Sequence, residues 1–98
     1  MDIEAEYILF LYGSTRIAMR AERTLKEHGI FVRLLPTPGT LQVGCGFALR
    51  TSEEDAEAAC RYLEEVGCSA SKIFAAIFHD GLRMKYENVT ALFADEAK

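Results

Sequence analysis

The stretch "EYILFLYG", Glu6 to Gly13, is a nearly continuous apolar run rich in aromatic residues. It is too short for a buried helix and ends in glycine, so it reads as a central strand covered on both faces. The rest of the chain arranges itself around it. Ser14 or Thr15 can cap a helix running to about His28, with Ile17, Ala18, Ala21 and Leu25 as its apolar stripe and Gly29 as its stop. "IFVRLL" (Ile30 to Leu35) is a second strand, and "GFALRT" (Gly46 to Thr51) a third. Ser52 with Asp55 forms an approximate capping box, and Glu53, Glu54 and Asp55 suit the positive end of a helix dipole. Ala56, Ala59, Cys60, Leu63 and Val66 make the stripe of this second helix, which Gly67 ends. "KIFAAIF" (Lys72 to Phe78) is a fourth strand.

The order β-α-β-β-α-β, with right-handed crossovers, predicts a ferredoxin-like α+β two-layer sandwich: a four-stranded antiparallel sheet with two helices on one face. Asp80-Gly81 then signals a hairpin, and Leu82, Met84 and Tyr86 alternate with charged residues as a half-exposed fifth strand does. The expectation is one domain over residues 1–98, with a core at 6–79 and a C-terminal hairpin and tail at 80–98. Val89, Leu92 and Phe93 in that tail either fray or pack on the open sheet face or on a second subunit, as a homodimer.

Bulk composition narrows the function. With 98 residues, half of them apolar, the chain can bury a core without metal or disulfide staples. Three cysteines include no CxxC pair and no cysteine–histidine cluster at zinc spacing, so neither a disulfide framework nor a metal site is expected. A net charge of −4 argues against nucleic-acid binding. No apolar run reaches the roughly 18–20 residues of a membrane span. The first residues carry acids where a signal peptide carries Lys or Arg, which leads us to expect a cytoplasmic protein. Phosphate-loop and dinucleotide-binding glycine patterns are missing, and no cofactor is expected.

The chemistry-bearing segment is "PTPGTLQVGCGF", Pro36 to Phe47, which holds both prolines and sets Cys45 between Gly44 and Gly46. In the expected topology the end of strand one, the start of helix one and the loop between strands two and three share one edge of the domain. Cys45 is thereby expected near Gly13, Ser14 and Thr15, at a helix N-terminus whose N–H groups and dipole favour a thiolate. The flanking glycines leave the sulfur open and let backbone N–H groups turn toward an anion. A free cysteine is equally a common small buried residue, and its glycines can serve a bulge. Cys60 falls on a helical apolar stripe and reads as core. Cys68, expected at the same edge as Cys45, is a candidate resolving thiol if the two approach to about 6 Å between Cα atoms. Arg33 is either an edge-strand charge that blocks aggregation or an anion contact for the Cys45 loop. His28 and His79 have no motif that makes either a base for Cys45, which argues against a cysteine–histidine hydrolase.

The stretch "FLYGSTRIAMRAERTLKEHGIFVRLLPTPGTLQVGCGFALR" resembles the small selenium/sulfur carrier-like family. The likeness rests on Ala21-Glu22, Arg33, Pro36, Pro38, Cys45-Gly46 and Ala48 in matching order, and spans about Tyr7 to Phe78. Members occur as free-standing small proteins and fused behind sulfur-carrier domains. The chain departs from the family pattern at Phe47, where a smaller aliphatic residue is common, and in its extension after Asp80. The resemblance implies a carrier or accessory protein rather than a stand-alone enzyme. Cys45 would bear a persulfide or selenopersulfide, received from and passed to partner proteins. The competing expectation is a non-catalytic, dimeric interaction or small-ligand module, since the fold alone selects no function.

Overall fold

A computed structural model describes residues 5–38, 41, 46–79 and 83–94. Its elements follow the chain as β1 (Tyr7–Tyr12), α1 (Thr15–Glu27), β2 (Arg33–Pro36), β3 (Phe47–Thr51), α2 (Glu53–Glu65), β4 (Lys72–His79), β5 (Arg83–Asn88) and α3 (Thr90–Ala94). Among the described residues the strands form one antiparallel five-stranded sheet in the order β2-β3-β1-β4-β5. The apolar run at Tyr7–Tyr12 is thus the middle strand. The fifth strand expected after the Asp80-Gly81 turn is β5, which pairs with β4 and extends the four-stranded sheet of the first six elements.

Alternation along β1 divides the interior in two. Ile8, Phe10 and Tyr12 face the helices, where Ala18, Ala21 and Leu25 of α1 and Ala56, Ala59 and Leu63 of α2 complete the main core. Leu9 and Leu11 point the other way and join Ala48, with Tyr7, Leu41, Phe74 and Tyr86 packed around them. Both faces of β1 are therefore buried, which is why its sequence lacks polar positions.

Local chemistry sets the helix limits. Ser14 Oγ accepts from the Ile17 N–H at 3.4 Å, and Ser52 Oγ from the Asp55 N–H at 3.2 Å. Of the two candidate caps for α1, Ser14 is the one used. Just past the C-termini, Gly29 and Gly67 take φ of 77° and 72°, left-handed values that glycine adopts without strain. Ile17 is exposed rather than on the apolar stripe. The buried row runs through Ala18, Ala21 and Leu25, and Ile17 lies one position off it in the first turn. Val66 is likewise exposed, because it is the C-cap of α2.

The second strand is shorter and later than expected. Ile30 and Val32 are buried but outside the ladder, which begins at Arg33 paired with Arg50. In this register Phe31 comes opposite Ser52, where β3 has ended and the cap of α2 begins, and Val32, opposite Thr51, is the last position before the ladder starts. Pro36 sits inside β2, as proline can on an edge strand.

The C-terminal segment is neither frayed nor on the open sheet face at Val89 and Phe93, while Leu92 is exposed. Val89 and Phe93 are buried in the main core, on the helical face of the sheet. The Phe93 ring lies 6.4 Å from that of Phe10 at an interplanar angle of 60°. Thr90 fastens the segment to β4: its Oγ1 accepts from the Ile73 N–H at 2.9 Å, and the Val89 N–H donates to the Ile73 carbonyl at 2.8 Å. The Asp80-Gly81 turn itself lies outside the described residues.

Candidate functional site

The edge expected to carry the chemistry is assembled by three connections. Tyr12, the last residue of β1, is in register with Phe47, the first of β3, and Pro36, the last of β2, pairs with Phe47 from the other side. The Thr37 N–H donates to the Gly46 carbonyl at 3.0 Å, closing the base of the β2–β3 connection. Gly13 and the Ser14 cap follow Tyr12 directly, so the start of α1 stands at the same edge as Gly46. Ser14 Oγ and the Ser14 carbonyl satisfy the Ile17 and Ala18 N–H groups. The Thr15 and Arg16 N–H groups precede the first intrahelical bond and supply the positive end of the dipole. Thr15 is exposed on this end.

Gly44 and Cys45 lie outside the described residues. The nearest described residues are Leu41 before them and Gly46 after them. Gly46 is buried. Leu41 is tied to Pro38 by an N–H to carbonyl bond of 2.9 Å and packs against the Leu9, Leu11 and Ala48 cluster. The connection therefore has an apolar foot on the helix-free face of the sheet. Thr37 Oγ1 is buried with no hydrogen-bond partner among the described residues. A buried hydroxyl without a partner is costly in an ordinary loop.

Cys68 shares this edge, as the topology required. Its carbonyl accepts from the Tyr12 hydroxyl at 2.6 Å, and the Ser71 N–H, three residues on, donates to the Leu11 carbonyl at 2.8 Å. Its side chain is 2% exposed and belongs to the main core. Burial, then the nearby Cys68 and Cys60 thiols, holds the Tyr12 phenol well above its ordinary value. Cys60 is half-buried on α2.

Arg33 does not join this group. It opens β2 opposite Arg50, at the far end of the strand from Pro36. His28 closes α1, at the other end of that helix from Ser14. Its ring stacks on Tyr62 at 3.9 Å and its Nδ1 lies 2.8 Å from the Thr24 carbonyl. Among the described residues no cluster of three or more His, Cys, Asp or Glu side chains could hold a metal, and no helix is long and apolar enough to cross a membrane.

Three contributors to this edge escaped the sequence reading: Tyr12, Thr37 and Leu41. Tyr12 had a signal, since it is the one polar tip at the end of an apolar strand. Leu41 and Thr37 had none beyond being apolar and hydroxylic in a Pro/Gly-rich connection.

Residues 6–75 match the family described as putative Se/S carrier protein-like. The chain belongs to this Se/S carrier protein-like family. No curated protein and no solved structure matches the chain. The matched span begins just before β1 and ends within β4. It includes the Ser14 cap, the β2–β3 connection and Cys68, whereas β5 and α3 lie beyond it. The edge with the Ser14 cap thus lies within the matched span, and the C-terminal pair of elements, which completes the core through Phe93, lies beyond it.

Proposed function

We propose that this member of the Se/S carrier protein-like family carries sulfur or selenium on Cys45. The observation that supports the reading most is the meeting of Gly46 and the Ser14-capped start of α1 at one edge. A thiolate beside such a helix end is stabilised by free N–H groups and the dipole, and its pKa falls below about 8.5. Thr15 and Gly44 N–H groups and the unpartnered Thr37 hydroxyl are the natural donors to the bound atom.

The transfer step balances without an added oxidant. The Cys45 thiolate attacks the outer, sulfane sulfur of a donor persulfide. A new S–S bond forms, the donor's S–S bond breaks, and the donor thiolate leaves and takes up a proton. Delivery to an acceptor reverses these roles, and a selenium atom follows the same path. Donor and acceptor are proteins of the cytoplasm in this reading. Cys68 can act as a resolving thiol only when the turn after α2 opens, because its side chain is buried. The β2-β3-β1-β4 portion with α1 and α2 is read as a ferredoxin-like unit. Since Val89 and Phe93 serve the chain's own core, a homodimer would use the outer edge of β5.

Incubating the reduced protein with a small persulfide donor and measuring intact mass tests this. One labile sulfur, released by thiol reductant and lost in Cys45→Ser, is the expected result. Equal labelling of wild type and Cys45→Ser removes the basis of the reading.

A further inference from the structure

A second arrangement lies at the opposite end of β2. Arg33 and Arg50 face each other across the β2–β3 ladder, in register and on the same side of the sheet. Like charges directly opposite destabilise a strand pair. The chain has 15 acidic residues against 11 basic ones. Yet among the described residues neither guanidinium has a carboxylate within ion-pair distance. Glu6 lines the same depression, but its carboxylate makes no ion pair with either arginine. Arg50 is instead held by an aromatic ring, its guanidinium carbon 4.1 Å from the centre of Tyr7. The two arginines, Tyr7, Thr51 and Ser52 line a depression of about 220 Å³, and Phe31, 78% exposed, stands at its side.

We propose that this depression binds a phosphate dianion, free or as a monoester. A guanidinium offers a planar fork of donors that matches phosphate oxygens. Cα atoms of directly opposed residues lie about 4.5–5.5 Å apart, so two forks converge on one tetrahedral anion. Such an anion converts the repulsion between the arginines into two attractions. The Tyr7 ring fixes one fork in advance, which lowers the ordering cost of binding. The exposed Phe31 offers an apolar surface to an ester group. The site is separate from the Cys45 edge and does not depend on the carrier reading.

Titration of isotope-labelled protein by NMR tests it, with sodium phosphate compared with sodium chloride at matched ionic strength and neutral pH. Phosphate is expected to give saturable shifts of the Arg33, Arg50 and Ser52 amides that chloride does not. Arg33→Gln and Arg50→Gln, both at exposed positions, are each expected to weaken binding about tenfold, as loss of a charge-assisted hydrogen bond does. Phenyl phosphate binding more tightly than inorganic phosphate, with the gain lost in Phe31→Ala, assigns a monoester; equal binding assigns free phosphate. The proposal is overturned if chloride reproduces the shifts, or if both glutamine variants, folded by circular dichroism, bind phosphate like the wild type.

Discussion

The Tyr12 hydroxyl donates a 2.6 Å hydrogen bond to the Cys68 carbonyl, joining residues 56 apart in sequence. It ties the end of the central strand to the turn that follows α2. The bond is buried, so loss of the hydroxyl leaves the Cys68 carbonyl without that partner. Tyr12→Phe is expected to cost about 1–2 kcal/mol. In a domain of this size each kcal/mol lowers Tm by about 4–8 °C. Thermal unfolding followed by circular dichroism checks this, and an unchanged Tm would show the bond to be unimportant.

The same tyrosine sets an alkaline limit. Burial, then the neighbouring Cys68 and Cys60 thiols, raises its pKa above the unfolded value of about 10. The folded protein keeps the proton where the unfolded chain releases it. Stability from this group is therefore complete below pH ~10 and declines as the pH rises beyond it. Urea midpoints measured on either side of that value should fall more steeply for the wild type than for Tyr12→Phe. Parallel slopes would contradict the assignment.

Phe93 fills the core from outside the family-matched span, against Phe10. Its truncation leaves a cavity, and Phe93→Ala is expected to cost about 3–5 kcal/mol. Against a total of about 5–15 kcal/mol for a typical domain, that is a large fraction. Denaturant unfolding would show it as a lower midpoint at unchanged slope. A change below about 1 kcal/mol would mean that α3 docks only loosely.

Periodicity made much of this fold readable. The doubly buried β1 announced itself because both of its faces need apolar side chains, and the serine caps because few residues satisfy helix N–H groups so well. The extent of β2 was not readable: Ile30 and Val32 look like strand residues, yet they are buried outside a ladder that begins only at Arg33. The place of Phe93 was hidden for a similar reason, since an amphipathic tail does not declare which face it meets. At the candidate site, the meeting of Ser14 with the Gly46 end followed from topology alone. The burial of Cys68 did not, because a residue just after a helix-ending glycine can turn either way.

That burial has a direct consequence for reactivity. Cys68 is 2% exposed, so alkylation requires local opening. A time course with iodoacetamide and peptide mapping should show Cys68 modified far more slowly in native protein than in denatured protein, with Cys45 leading. Equal rates at Cys68 in both states would mean that the turn after α2 is open in solution.

The two helix caps offer an internal control for the carrier reading. Ser14 and Ser52 make equivalent side-chain bonds to the third helical N–H, at 3.4 and 3.2 Å. Replacing either by alanine is expected to cost about 1 kcal/mol. Only Ser14 stands at the edge shared with Gly46, whereas Ser52 follows the other end of β3. Ser14→Ala loosens the first turn of α1 and should raise the midpoint of the pH profile for Cys45 alkylation toward the ordinary thiol value of about 8.5. Ser52→Ala should leave that midpoint unchanged while losing similar stability. If both variants move it equally, global destabilisation explains the effect and α1 has no special hold on the thiolate. If neither does, the dipole of α1 does not reach Cys45.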